Sequence, residues 1–239
     1  PWSDDFENES QGPTGCGPNF NFTGTDGMYN VTGDNLQWTV DRGGTSSSAT
    51  GPTANGGADH TLGTNQGKYT YMETSCSGTG YPNKIAILQS PAFDLTGEKS
   101  PSLSFWYHMF GSSGGTMHFD VSPDSGATWT MDYIPAWPNP NQDLWQEQAI
   151  SLQDFALNGA TPSDKFMFRV RGISGTSFGS DFALDDFLIE SPIPENIAVL
   201  DAALPNACSS NPSPSLSVDF THVGTDAIPA GEMIDFSFQ

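Results

Sequence analysis

Short runs of alternating apolar and polar residues, separated by turn-forming residues, most constrain how this chain can fold. In one run Leu103, Phe105 and Tyr107 occupy every second position, and a similar run spans residues 165–171. A period of two residues is typical of a β-strand with one face in a core. Clusters of Gly, Pro, Asn and Asp lie between most runs, in a chain with 26 Gly and 18 Pro. We predict strands over residues 36–40, 68–72, 85–89, 102–109, 117–122, 129–134, 145–151, 165–171 and 182–189.

This pattern predicts an all-β fold, an antiparallel two-sheet jelly-roll sandwich. Residues 124–128 form a predicted hairpin turn, because Gly126 can adopt a positive φ. One short helical turn is predicted at residues 152–157. Residues 43–67 are rich in Gly, Ser, Thr and Asn. Structureless loops of this length inside a compact domain usually carry function or are anchored by a ligand.

A domain boundary is predicted at residues 191–194, where proline at alternate positions favours an extended linker. The first domain then covers residues 1–192. Residues 193–239 contain a linker and alternating runs at 215–222 and 233–238, typical of the opening strands of an immunoglobulin-like domain. An immunoglobulin-like sandwich needs about 100 residues. We therefore expect a truncated second domain and a chain cut from a longer protein.

The charge balance excludes several classes of partner. The chain has 7 Lys+Arg against 28 Asp+Glu, a net charge of -21. Nucleic acids and anionic membrane surfaces bind cationic patches, so neither is an expected partner. No apolar run approaches 18 residues, so we expect no membrane insertion. Most of these carboxylates are expected on a solvated surface, where they keep a secreted protein soluble.

Three cysteines, Cys16, Cys76 and Cys208, leave two alternatives open. We predict a Cys16–Cys76 bridge, because both cysteines fall in the first domain. The alternative, nearly as well supported, is that they are two free buried thiols. No Cys/His spacing in the chain indicates a zinc site.

A few carboxylates stand out as candidate metal ligands. Asp5 and Glu7 flank Phe6 at the start of the chain, and Asp59 lies in the long loop. Asp185 and Asp186 interrupt the apolar last strand, where two acids lower stability unless they are paired or bind a metal. Ca²⁺ takes six to eight oxygen ligands, which carboxylates and loop carbonyls supply. We predict a cation that bridges the first strand, the last strand and the loop. The alternative is that one acid points to solvent while the other accepts backbone N–H groups.

Motifs of catalysis are missing from the sequence. It has no HExxH, GxSxG or GxxxxGK[ST] motif, so we expect no enzyme activity. A hydrolase with opposed carboxylates that are distant in sequence stays a rival hypothesis.

Four tryptophans are candidates for stacking on sugars, although core or edge packing is the stronger expectation: Trp106, Trp129, Trp137 and Trp145. Trp137 is the best candidate for ligand binding, because Pro135 and Pro138 predict that it lies in an exposed loop.

Several segments occur in an order that carries a family resemblance. They are Asp5-Phe6-Glu7, Trp38, Gly51-Pro52, Asp59-His60-Thr61, Gly67-Lys68-Tyr69, Ala86–Pro91, Leu103–Met109 with Gly111, Trp129, Trp145 and Ala183–Phe187. Together they resemble the MAM domain, found in meprin, neuropilin and receptor tyrosine phosphatase mu. The resemblance implies a jelly roll, adhesion or protein contact outside the cell, and a structural Ca²⁺ or Na⁺ ion. By position, its ligands would be Glu7, Asp59 and Asp185, with Asp5 and Asp186 as further candidates.

The chain departs from the family in its cysteines, because the family usually has two bridges. Its tail, residues 218–238, is similar to β domains of exported Bacteroidetes proteins, which implies a bacterial source. The resulting hypothesis is a non-catalytic recognition or adhesion module of a larger secreted or cell-surface protein, with an extracellular protein or glycan as partner. The alternative is a carbohydrate-binding module of a secreted hydrolase.

Overall fold

The structure of the chain is a computed structural model, and it describes residues 1–17, 27–47, 49–52, 58–156, 165–191, 197–203 and 217–222. Contacts between Cα atoms divide the chain into two units, Pro1–Glu190 and Ser191–Gln239.

In the residues that the structure describes, the first unit consists of β-strands and one short helix. The strands are β1 Trp2–Asp4, β2 Tyr29–Asn30, β3 Thr39–Arg42, β4 Lys68–Met72, β5 Ile85–Gln89, β6 Ser102–Phe110, β7 Gly115–Ser122, β8 Thr130–Pro138, β9 Gln142–Ser151, β10 Met167–Ser174 and β11 Asp181–Glu190; the helix is α1 Gln153–Ala156.

These strands form two antiparallel sheets, which confirms the predicted fold class. The first sheet has the order β3-β4-β11-β6-β9, and β1 also pairs with β11. The second sheet has the order β2-β5-β10-β7-β8. Strands β8 and β9 are therefore edge strands, and only residues 139–141 connect them in the chain.

Aromatic side chains from both sheets fill the space between them. Phe105 of the first sheet stacks on Phe119 of the second at 6.2 Å between ring centroids, and on Phe187 at 5.0 Å. Trp38 is fully buried in the same cluster. Burial of one such side chain contributes about 1.5–3 kcal/mol, so this aromatic layer accounts for much of the sandwich's stability.

Strand β11 contains an irregularity in its pairing that determines where Asp185 and Asp186 lie. Its register with β6 shifts between Asp185 and Leu188. Leu184 and Phe187 both belong to the core cluster, so one extra residue lies between these two inward side chains. Asp186 has φ 49°, the conformation of a β-bulge. The bulge leaves both Asp185 and Asp186 on the outer face of the first sheet.

Two short strands share one edge of β11 on either side of this bulge. β4 pairs with residues 182–184 of β11, and β1 pairs with residues 187–189. The end of β1 and the start of β4 therefore meet beside Asp185. The sequence pattern did not predict β1 or β2 as strands, because each is only two or three residues long.

The strand prediction fails most clearly in β8. The predicted strand ends at residue 134, whereas β8 continues to Pro138. Pro135 and Pro138 predict a loop in the sequence, but proline is tolerated in an edge strand. The predicted hairpin turn is present between β7 and β8, with Ser125 at φ 57° and Gly126 at φ 85°. Helix α1 falls within the predicted helical turn.

Among its described residues, the second unit contains one antiparallel pair, β12 Ile197–Ala203 and β13 Ser217–His222. The pairing shifts register between Val199 and Asp201. The predicted strand at 233–238 lies outside the described residues. The domain limits and the immunoglobulin-like assignment stay predictions.

A search of the described residues for a long apolar helix that could cross a bilayer finds no candidate.

Candidate functional site

The described parts of the long loop, residues 43–67, contact the outer face of the first sheet. The indole N–H of Trp145 donates a hydrogen bond of 3.1 Å to the Ala58 carbonyl. The imidazole of His60 stacks on the Trp106 ring at 3.7 Å between centroids, with an interplanar angle of 15°. These contacts hold residues 58–60 over β6 and β9.

Asp185 binds the loop through hydrogen bonds to its backbone. Its side chain is 0% exposed. One carboxylate oxygen accepts the backbone N–H groups of His60 (2.9 Å) and Thr61 (3.4 Å), and the other accepts the N–H of Asp186 (2.9 Å). Burial raises the pKa of Asp185 to about 9, and the negative charges of Asp186 and Asp59 add to this effect. Near neutral pH the carboxyl group therefore takes up a proton or needs a positive partner.

Asp185 accepts backbone N–H groups, as the alternative to a bound metal expects, and the partly exposed Asp186 also faces the loop. Its carboxylate lies 2.5 Å from Nδ1 of His60 and accepts the hydroxyl of Thr61 at 2.8 Å. Because of the bulge, both neighbouring acids hold the same two loop residues.

Asp59 is enclosed by its own loop and is 2% exposed. Its carboxylate accepts the N–H groups of Leu62 (2.7 Å) and Thr64 (3.1 Å). A Cβ atom at Gly67 would lie 2.1 Å from Cγ of Asp59. Glycine is required at position 67 by this close approach.

Glu7 links the end of β1 to the start of β4. Its carboxylate accepts the backbone N–H of Lys68 at 2.7 Å, and Nζ of Lys68 donates back to the Glu7 carbonyl at 2.5 Å. Its carboxyl group is also within hydrogen-bonding reach of Asp59. Burial raises the pKa of Glu7, and the neighbouring charges of Asp59 and Asp5 raise it further.

Asp5 contributes charge beside this group. One of its carboxylate oxygens accepts the N–H of Glu7 at 3.1 Å. Asp5 also lines a cavity together with Asp4 and Glu9.

Near the junction of β1, β4 and β11, Glu7 accepts the N–H of Lys68, Asp59 packs against the adjacent Gly67, and Asp185 accepts the N–H of His60, the residue after Asp59. Oxygen ligands of this kind suit a hard cation such as Ca²⁺, and two carboxyl groups in contact need a proton or a cation between them. In the described part of the chain, no group of three or more His, Cys, Asp or Glu side chains is arranged to hold a metal ion as it stands. The donors fit the cation in chemistry, and metal binding stays a prediction.

A second buried acid pair, which sequence reasoning missed, lies further along the same face. Asp181 is 0% exposed and accepts the hydroxyls of Thr45 (3.0 Å) and Thr50 (2.5 Å). Burial raises the pKa of Asp181 to about 7, and the charge of Glu73 contributes. Glu73 in turn accepts the hydroxyl of Ser47 at 3.0 Å. Asp181 directly precedes the apolar residues 182–184, but no sequence signal shows that loop hydroxyls cover it.

Cys16 and Cys76 are joined in a disulfide, with 5.8 Å between their Cα atoms. The bridge ties the N-terminal segment to the chain just after β4. Cys208 lies outside the described residues.

The four tryptophans do not form one platform. Trp106 and Trp145 lie under the loop on the first sheet. Trp129 lies under the Arg169 guanidinium on the second sheet, at 4.1 Å. Trp137 is part of β8 and is half-buried, so its predicted place in an exposed loop is wrong.

A hydroxyl, an imidazole and a carboxylate form a chain on the outer face of the second sheet. His118 Nε2 lies 2.9 Å from the Thr116 hydroxyl, and Nδ1 lies 2.7 Å from Asp132. Distances of this size occur between a nucleophile and its base. Asp132 also pairs with Arg171 at 3.2 Å, and Arg171 pairs with the buried Asp120 at 2.6 Å. The chain of bonds is therefore part of a larger charge network.

Comparison with known proteins places this geometry in a family. The model of the MAM domain (meprin/A5/mu) matches residues 5–193 and is not that of a catalytic family. MAM domain-containing glycosylphosphatidylinositol anchor protein 1 from Homo sapiens is 27% identical over 161 residues, which cover 66% of this chain and 15% of that protein. Neuropilin-1a from Danio rerio is 40% identical over 84 residues, or 35% of this chain and 8% of that protein. The chain therefore spans only a small part of the length of the curated relatives it matches.

Among solved structures, the K1 cleaved adhesin domain of Lys-gingipain from Porphyromonas gingivalis W83 is similar, with a TM-score of 0.45 and 16% identity. That match covers 80% of this chain and 97% of the adhesin domain. The family match covers most of the chain and includes Glu7, Asp59 and the acids of the β11 bulge. It confirms the resemblance seen in the sequence, and the chain belongs to the MAM family.

Proposed function

We propose that this chain is a non-catalytic, extracellular recognition or adhesion module of a larger secreted or cell-surface protein, stabilised by a bound Ca²⁺ or Na⁺ ion. Its family membership supports the adhesion role. The observation that supports the cation is that Glu7 and Asp185 bind the backbone on either side of Asp59, at Lys68 and His60, while Asp59 packs against Gly67.

The proposed role of the cation is to hold the loop and β1 against β11. Glu7 and Asp185 already accept backbone N–H groups of a neighbouring segment, and Asp59 accepts those of its own loop. A cation among them would offset the repulsion between Glu7 and Asp59 and the burial of Asp185. The partner would bind a surface that this junction keeps in shape, and an anionic partner surface is not expected, given the net charge of -21.

Thermal unfolding with and without cation tests the proposed site. A ligand that binds only the folded state adds RT ln(1 + [L]/Kd), about 2.7 kcal/mol at a hundredfold excess over Kd. For bound Ca²⁺ we expect EDTA to lower the melting temperature and added Ca²⁺ to restore it; for bound Na⁺ we expect the same response to removal and return of Na⁺ in the buffer. Gly67→Ala should abolish this response because its Cβ displaces the Asp59 carboxylate. Gly15→Ala is the matched control, since a Cβ there meets nothing within 4 Å. A melting temperature that changes neither with EDTA nor with added cation would contradict the proposed cation site.

Binding and turnover assays test the recognition role. The fluorescently labelled chain should bind extracellular matrix proteins, cells or glycan surfaces without altering them chemically. If the chain instead releases new reducing ends or peptide termini, and Thr116→Val abolishes that release, the non-catalytic assignment is wrong.

A further inference from the structure

The open edge between the two sheets carries polar and aromatic side chains where a core would be apolar. We define the edge strip as Tyr107, Trp137, Gln146 and Gln148. We propose that the edge strip is a binding site for a neutral glycan. This inference rests on the proposed recognition function; it adds the class of ligand and the residues that bind it.

Contacts between its members show that the strip is continuous. The rings of Trp137 and Tyr107 lie 5.6 Å apart. The Tyr107 hydroxyl donates a hydrogen bond of 3.1 Å to the Gln146 side chain. Gln148 pairs in register with Phe105, a core residue, and therefore lies on the inner side of the sheet. Strands β8 and β9 thus contribute side chains to one strip across the gap between the sheets.

Packing alone does not explain these residue types. Ile150, two positions beyond Gln148 on the same face of β9, is buried and apolar, as a core position requires. The indole N–H of Trp137 is shielded from solvent and has no acceptor among the described residues. A buried donor without an acceptor lowers stability, so phenylalanine would be the better packing residue at this position.

The chemistry of the strip matches an uncharged sugar. Aromatic rings stack on the apolar faces of ligands, and tryptophan and tyrosine also offer a polar group. The Gln146 amide donates to Gln142 and the Gln148 amide donates to the Ala149 carbonyl, so each keeps its second N–H for a neighbouring hydroxyl. None of the four side chains is charged, and a net charge of -21 repels sulfated or uronic-acid glycans. Proline-rich peptides also dock on aromatic rings, but the two amides favour a ligand rich in hydroxyls.

Binding of the full chain to an array of neutral glycans, sulfated or uronic-acid glycans and proline-rich peptides tests the inference. We expect signals on neutral glycans alone. Trp137→Ala and the double variant Gln146→Ala/Gln148→Ala should each weaken the affinity at least about tenfold, the loss typical of a central contact residue. Trp129→Ala is the matched control, because Trp129 lies on the outer face of the second sheet. Since Trp137→Ala also removes core packing, Trp137→Phe and the melting temperature of each variant separate lost binding from lost folding.

The outcomes distinguish this inference from the recognition role itself. Neutral-glycan binding that is lost in folded strip variants and kept in Trp129→Ala supports the edge strip. Glycan binding that survives the strip variants overturns it, as does a preference for acidic glycans or for proline-rich peptides. If the chain binds cells or matrix proteins but no glycan, the edge strip is wrong and the recognition role stands.

Discussion

The buried carboxyl group of Asp185 couples the stability of the fold to pH, and Asp185→Asn isolates that coupling. In the folded chain its pKa is raised from 3.8 to about 9, first by burial and then by the charges of Asp186 and Asp59. Between these two pKa values the folded state holds a proton that the unfolded state releases. Without a cation, the free energy of unfolding therefore falls as pH rises.

The magnitude follows from proton linkage. One such group changes the free energy of unfolding by up to about 1.4 kcal/mol per pH unit. From about pH 5.5 to 7.5 the loss is up to about 3 kcal/mol, or roughly 6–12 °C in melting temperature for a unit of this size. A bound cation replaces the proton, so excess Ca²⁺ should flatten the dependence. Asp185→Asn removes this titrating group and should make the dependence less steep even in EDTA, while the contribution of Asp181 stays.

The slope of melting temperature against pH is the informative readout. Asparagine turns an NH₂ group towards backbone donors such as the N–H of His60, so the variant loses hydrogen bonds and its absolute melting temperature falls. That loss is the same at each pH. Glu98→Gln, at an exposed position, is the control for removal of a carboxylate. The reasoning is refuted if the slope in EDTA is the same in the wild-type chain and in Asp185→Asn.

Two further substitutions probe other parts of the sandwich. Arg171→Ala should lower the free energy of unfolding in urea by about 3–5 kcal/mol, because it leaves the fully buried Asp120 carboxylate without its closest charge partner; an effect no larger than that of exposed Arg42→Ala would count against this. The double variant Cys16→Ser/Cys76→Ser opens a loop of 60 residues and should lose about 4 kcal/mol; equal melting temperatures for this variant and the oxidised wild-type chain would show that the bridge does not constrain the fold.

Much of the sandwich was predictable from the sequence because alternation and burial agree there. Leu103 and Phe105 are inward in the pattern and buried in the structure. The predicted strands 68–72 and 85–89 have the bounds observed for β4 and β5. Such positions depend mainly on local periodicity, which the chain displays directly.

Features that depend on sheet position were not predictable in the same way. Proline signals a loop in most contexts, so Trp137 was placed in one, and only the position of β8 at an edge explains why Pro135 can stay in a strand. The buried pair of Asp181 and Glu73 was also missed. In the sequence, Asp181 and Glu73 look like solvent-facing residues at strand ends. Their carboxylates are instead covered by loop residues that are distant in sequence and donate hydroxyl hydrogen bonds to them.

The β11 bulge explains why local alternation did not predict which face of the sheet Asp185 and Asp186 occupy. Strict alternation sends one acid outward and the other into the core, so at least one must be isolated or neutralised. The bulge instead turns both outward, at the point where β4 stops pairing with β11 and β1 begins. Because β1 contributes only three paired residues there, its attachment depends strongly on side-chain links such as that of Glu7 to Lys68 and Asp59. Loss of the proposed cation should therefore release β1 and the loop before the sandwich core, and hydrogen exchange at residues 59–64 should accelerate in EDTA while exchange in β10 stays slow.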